Sequence, residues 1–431
     1  MNKNLTSRRH GWAVATIIVA LSVCLTSPRA VLADDAEVLP DGVSRVHIDF
    51  YRYHPTTHRF NADGDRERLA HPFTNATLDS SVLTSLEPLD PFVPGLATIG
   101  DVSVVYEYDI DVLDIGYAYG VTENLSIGIH IPYYWIKNNV DTAFDNSNAN
   151  VGLHPVTGEC CIPIALGGVP MEEQDVQNLV MDEYGFSEID DWSRDGIGDT
   201  ELGAKYRFLH KRDSAMAITG GLRIPTGYED DPDKLNDVAW SYGTYALLFR
   251  LHYDYLLSNL WKDTPSSLHQ QVPAAGDLVG NLTFRYDYMF PDTKTMRIGD
   301  TPDQVLTNNR ERVDRELGDI YNLEAALRYH ATRALALGLV YTYGGKFKDS
   351  IDGDRGYNYS SLEKNTDSSQ QIIKVEASYS TLPAYLEKES RMPMEFSLAY
   401  RERFKGDGPS SGQANPVLYT RWVTAGVKFW F

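Results

Sequence analysis

Cysteine is scarce in this chain: the 431 residues include 3. A disulfide-framed secreted fold is therefore excluded. Long apolar runs are missing too. Beyond residue 33 no stretch reaches the roughly 18 unbroken apolar residues that a membrane-spanning helix needs. A helical membrane protein is thus excluded, whereas a β-barrel, whose strands cross with about 9–11 residues, is not. Positive charge is in deficit, with 39 Lys plus Arg against 60 Asp plus Glu and a net charge of −21. Nucleic-acid binding is set aside on that ground, because affinity for phosphates comes from clustered Lys and Arg that release counterions. With 42% hydrophobic and 23% charged residues, disordered and collagen-like chains are excluded as well.

What is present begins with an address. Lys3, Arg8 and Arg9 precede the apolar run 11–26, and Val31-Leu32-Ala33 offers small residues for a signal peptidase. That order predicts a secretory signal peptide over residues 1–33, cleaved near Ala33, and a mature protein from residue 34. Cys24 leaves with it, because bulky Val23 stands where lipid attachment calls for a small residue.

The mature chain alternates. Tyr321, Leu323, Ala325, Leu327 and Tyr329 share one face, and Asn322, Glu324, Ala326, Arg328 and His330 the other. Leu202, Ala204, Tyr206 and Phe208 are likewise opposed by Glu201, Gly203, Lys205 and Arg207. Leu282, Phe284, Tyr286 and Tyr288 are opposed by Thr283, Arg285 and Asp287. Period-two alternation alone fits a soluble sandwich equally well. Two features separate the possibilities. The apolar faces end in aromatic residues, as lipid-facing strands with interfacial girdles do, and the opposite faces carry mid-strand charges that a dry sandwich core would penalise but a hydrated lumen tolerates.

The expected fold is therefore all-β: a transmembrane antiparallel up-and-down barrel. Strands are predicted near 43–53, 101–119, 124–136, 198–210, 214–225, 240–253, 277–289, 318–330, 334–346, 369–381, 393–405 and 417–431. Twelve is even, as single-chain bacterial barrels require, with short periplasmic turns and long extracellular loops. A missed pair of strands within 54–100 or 254–276 would make fourteen. A change of phase around Asp111-Val112 predicts a bulge or two separate strands.

Candidate lumen and selectivity residues are Glu201, Lys205, Arg207, Arg223, Arg250, Arg285, Asp287, Glu324, Arg328 and Arg401, joined by Lys374, Glu376, Glu395 and Lys428. Either they pair and fill the barrel, or they line a narrow selective pore; twelve strands fall between packed small barrels and open large ones. Loop 137–197 exceeds a passive connection and is a candidate lid or surface cap. Adjacent Cys160 and Cys161 can form only a vicinal disulfide or reach other molecules, and with His154 they match no standard metal pattern. Acidic clusters at 229–237 and 349–354 read as solvated loops, with cation bridging to lipopolysaccharide as the alternative. No Ser and His lipase motif or acid and His protease arrangement is found, so no enzyme, cofactor or metal is expected.

Two further resemblances complete the reading. The terminal alternation Val423, Ala425, Val427, Phe429, Phe431 resembles the terminal-phenylalanine signal read by the barrel assembly machinery, with Val427, Phe429 and Phe431 as its residues. The segments Ile127–Trp135, Gly196–Phe208 and Gly221–Gly227 resemble the outer-membrane family named for the meta pathway of phenol degradation, related to long-chain fatty-acid transporter barrels. That resemblance implies an outer-membrane barrel that passes small hydrophobic or aromatic solutes; a monomer is expected, with lipid and lipopolysaccharide as its surroundings. The rival is a structural or surface-binding barrel with a closed lumen.

Overall fold

The computed structural model describes residues 35–71, 73–302, 304–409 and 417–431. The predicted signal peptide with its cleavage site, and most of the connection 406–416, lie outside them.

Twelve strands pair antiparallel into a closed ring. They are β1 Ser44–Tyr53, β2 Thr98–Thr122, β3 Leu125–Asp145, β4 Thr200–His210, β5 Ser214–Ile224 and β6 Ala246–Leu256. The ring continues with β7 Leu278–Met289, β8 Ile320–His330, β9 Leu335–Lys346, β10 Ser368–Ser380, β11 Met394–Asp407 and β12 Arg421–Trp430. Each strand pairs with its chain neighbours, and β12 closes on β1 with Arg45 opposite Trp430 and Tyr53 opposite Trp422. Closure is what the bilayer demands, because an unpaired sheet edge in hydrocarbon leaves backbone N–H and C=O groups without partners.

The twelve-strand alternative holds over fourteen. Residues 257–277 form a compact turn that opens with the 3-10 stretch Leu257–Leu260. Within 54–100 the short strands His58–Phe60 and Arg66–Arg68 pair with each other outside the ring, the first also with Val417–Leu418.

The outward faces carry Leu202, Tyr206 and Phe208 on β4, Leu323, Leu327 and Tyr329 on β8, and Phe396, Leu398 and Tyr400 on β11, all exposed. This is the lipid-facing belt that the alternation predicts. On β12 Val423 is exposed, as is Phe431 just beyond it, and the Phe431 backbone hydrogen-bonds Ser44 in both directions.

The expected bulge near Asp111 is absent. β2 pairs with β3 without a register shift from Asp101 opposite Asp145 down to Gly120 opposite Ser126. Even-numbered residues face inward along the whole stretch: Val104, Tyr106, Tyr108, Ile110 and Val112 are buried and apolar, and Asp114 continues the same row. Glu107, Asp109 and Asp111 occupy the outer face above Ile115, Tyr117 and Tyr119. The geometry keeps its phase while the environment inverts. Within the bilayer the outside is lipid and the inside is polar; above it the outside is water and the inside is a dry core. β3 changes likewise, from outward Ile127 and Ile131 to inward, buried Tyr134 and Ile136.

That dry core caps the barrel. Tyr51, Tyr53, Tyr106, Tyr108, Tyr134, Trp240 and Trp422 pack with Leu69, Leu418 and Ile136 into one cluster, flanked by Ile189 and Trp192. A second core joins loop 54–97 to loop 146–199: Leu78, Leu83, Leu86 and Ile99 meet Val151, Met171, and Leu179, Val180 and Tyr184 of helix α1, Glu173–Tyr184. The long loop is therefore an ordered part of a cap with its own apolar core. Its two cysteines are joined to each other as a vicinal disulfide.

Candidate functional site: a charged lumen beneath an aromatic cap

The resembling segments build one corner of the barrel. Residues Trp192–Ile197 pair with the upper part of β3, and β4 pairs with its lower part. Between them Pro132, which has no N–H to give, faces Gly198, whose N–H donates to the Pro132 carbonyl at 2.7 Å. A Cβ at Gly198 would press on the Tyr134 ring and Pro132 Cγ, so the close approach requires glycine. Thr226 Oγ1 donates to the Gly198 carbonyl at 2.7 Å, and the Gly227 N–H donates to Asp199 Oδ1 at 3.2 Å. The Pro-Thr-Gly turn thus ties down the kink where the chain enters the membrane zone.

Below the aromatic cap lies a cavity of about 450 Å³. Glu201, Lys205, Arg223, Arg250, Arg285, Asp287, Glu324, Arg328 and Arg401 line it, as do Lys374, Glu395 and Lys428. Arg207 does not. It sits lower on β4, at the periplasmic rim, where Nη2 donates to the Glu123 carbonyl at 2.8 Å. Its inward phase is as predicted, and it lies below the residues that line this cavity.

The charges form wall-hugging clusters. Arg223 donates to Glu201 Oε1 at 2.9 Å and to Asp287 Oδ2 at 2.7 Å. Arg250 reaches the other Glu201 oxygen at 3.1 Å, and Arg285 Nε donates to Asp287 Oδ1 at 2.6 Å. On the far wall Glu395 accepts from Arg328 at 3.1 Å and Lys428 at 3.0 Å, and Lys374 donates to Glu376 at 2.8 Å. Such pairs satisfy charges that burial would otherwise make costly. Glycine keeps space open opposite them: Gly128, Gly203 and Gly221 lie side by side on β3, β4 and β5 and line the cavity. Ion pairs therefore pack the wall without filling the lumen.

Two features escaped the sequence reading. The segment 35–39 lies against the inner wall near the periplasmic mouth: the Ala36 N–H donates to Asp254 at 2.9 Å, the Leu39 N–H to Ser126 Oγ at 2.8 Å, and Lys205 Nζ to the Asp35 carbonyl at 2.7 Å. The other is the inner face of β1, where Arg45, His47 and Asp49 join Asp114 and His130. Alternate positions within the predicted strand 43–53, and an unbroken phase through Asp114, are the signals that would have found them.

A second cavity of about 220 Å³ sits among the extracellular loops and shares no lining residue with the first. Burial pushes its Asp230 carboxyl above the usual range and its Lys294 ammonium below. The acidic stretch 229–237 is tied into the cap. Asp233 pairs with Arg297 and Arg310, and Asp237 accepts from Tyr228 Oη at 2.7 Å and pairs with Arg194.

Comparison with known proteins yields fold likenesses alone. The chain is similar to an outer membrane channel from Pseudomonas putida F1, at 11% identity over 93% of this chain and 100% of that one, with a TM-score of 0.48. It is similar to the CymD monoaromatic hydrocarbon channel at 9% identity, covering 91% and 88% of the two chains, TM-score 0.31. It is also similar to the NanC porin at 9% identity, covering 74% and 93%, TM-score 0.31. No family model matches the chain, and no curated protein matches its sequence. The functional reading rests on the lumen's own chemistry.

That chemistry is an inversion of charge. The chain as a whole carries −21, yet the cavity is lined by ten Lys and Arg side chains and six Asp and Glu. Tyr53, Trp422 and Tyr242 form its apolar side. The arrangement can hold an apolar body against the aromatics and an anionic group against the basic wall.

Proposed function

We propose that this protein is an outer-membrane channel for small molecules, and that it favours hydrophobic or aromatic solutes bearing an acidic group. The observation that carries the reading is the basic excess of the lumen inside an acidic protein. A charged constriction of one sign selects against like-charged solutes and concentrates opposite ones. The aromatic ceiling supports an apolar solute body, as does the resemblance to the meta-pathway family. The outer membrane as its location follows from a barrel joined to an export signal. The charged residues of the wall on β4–β8 and β10–β12 are the proposed selectivity residues, and Val427, Phe429 and Phe431 the proposed assembly signal.

One observation favours a closed structural barrel: the cap separates two cavities that share no lining residue. Single-channel recording of the refolded protein in a planar bilayer, across a potassium chloride gradient, distinguishes the two. Anion-selective conductance that rises when residues 145–190 are deleted is expected of a channel gated by its cap. Silence from both forms would exclude an aqueous channel and leave the structural role.

A further inference from the structure

We infer that the inner wall formed by β1, β2 and β3 is a binding site for a divalent transition-metal cation of the zinc class, held by His47, Asp114 and His130 with Asp49 beside them. One ligand atom from each of the first three residues lies within 4.8 Å of the others. About 2 Å metal–ligand bonds set tetrahedral ligand atoms roughly 3.4 Å apart, so small side-chain rotations suffice to close the set.

The register assembles these groups. Asp49 is directly opposite Asp114, and His47 is opposite Gly116, which is opposite His130. His47 and His130 would be separated by an intervening side chain on β2, but residue 116 is glycine. A Cβ there would overlap the His47 ring. Without it the two imidazoles lie over β2 with ring centroids 6.1 Å apart and planes 21° from parallel.

Burial and missing partners point to a cation. Asp49 and Asp114 are both 0% exposed, and His47 is 9% exposed. Both Asp49 oxygens lack any hydrogen bond, as do Asp114 Oδ2, Nδ1 of His130 and Nε2 of His47. His130 Nε2 and Asp114 Oδ1 are in contact as an ion pair, and His47 Nε2 stands 4.0 Å from the same oxygen. That contact leaves the Asp49 carboxylate facing a second carboxylate across the strand ladder, an arrangement that costs both repulsion and unpaid desolvation. Of the cations that face Asp49, Lys428, opposite His47, is engaged by Glu395 and Lys374 by Glu376, and Arg401 stands as the third. A dication between the carboxylates and imidazoles would take one ligand atom from each of these side chains. Two imidazoles with carboxylates suit zinc, cobalt, nickel or copper better than calcium or magnesium, which prefer all-oxygen shells. His47 and His130 line the large cavity, which supplies a route of entry.

The test uses the full mature chain, refolded without a histidine tag, and cobalt and zinc chloride as probes. Near one equivalent of cobalt with visible d–d bands, displaced by zinc, is expected. H130Q and D114N should each lose at least tenfold in affinity, and G116A should lose it while leaving all the ligands in place. Refolded wild-type protein that retains no metal above a H47A/H130A control after dialysis would overturn the inference, whatever the variants do. So would cobalt bound without a ligand-field change in H130Q.

Discussion

Arg223 on β5 and Asp287 on β7 are joined at 2.7 Å across the inner face of β6, the strand that lies between them. Both side chains are almost fully buried, at 2% and 0% exposure, and the same guanidinium holds Glu201 on β4. One cation thus fastens β4, β5 and β7 across the inner face of β6.

Removing it takes a partner from two buried carboxylates at once and leaves Glu201 to Arg250 and Asp287 to Arg285. Arg223→Leu is expected to destabilise the barrel by about 3–5 kcal/mol, the usual cost of breaking a buried pair by deleting one partner. Urea unfolding in lipid vesicles measures it. In Arg223→Leu/Asp287→Leu part of that loss should return, and strictly additive effects would refute the coupling.

Arg45 tests selectivity with little structural cost. It lines the cavity and takes no part in the ion-pair clusters of the two walls. Arg45→Glu is expected to reduce the anion-to-cation permeability ratio several-fold at low salt, with the effect shrinking at 1 M salt as screening tightens. An unchanged reversal potential would remove the lumen charge from the account of selectivity.

Asp233 fastens the cap. Its two oxygens each take an arginine at 2.8 Å, Arg297 and Arg310, and Arg297 also donates to the Tyr184 and Gly185 carbonyls at the C-terminal end of α1. Asp233→Ala should speed protease cleavage within 146–199 by roughly tenfold, matching about 1.5 kcal/mol for lost charge-assisted hydrogen bonds. Barrel stability should be unchanged.

The long periplasmic turn should loosen in acid. Burial alone would raise the Asp277 carboxyl, but hydrogen bonds from Lys262, Ser266 and the Ala274 N–H hold it below the usual carboxylate range. A carboxyl lowered on folding stabilises above its unfolded value, and that stabilisation is lost as pH falls through the lowered one. Amide exchange in 257–277, corrected for intrinsic rates, should therefore accelerate below the usual carboxylate range in the wild type. In Asp277→Asn it should be faster at neutral pH and nearly independent of pH.

Alternation alone determined which face of each strand meets lipid and which meets the lumen, because successive side chains must point opposite ways. Arg223, Arg250, Arg285 and Glu201 were legible as inward charges for that reason, and so was the even count of strands. Tertiary structure decided what alternation does not encode: height along the axis and proximity across strands. Arg207 has the inward phase but sits below the cavity that the other charges line. Asp111-Val112 looked like a change of phase because the bilayer boundary swaps the apolar face while the backbone continues unchanged. Arg223 finds Asp287, and His47 finds His130 beside Asp114, only once register and closure bring residues 64, 83 and 16 positions apart in sequence to one stretch of wall. The physical reason is that pairing is fixed by hydrogen-bond register between strands, a property of two segments together that neither segment carries by itself.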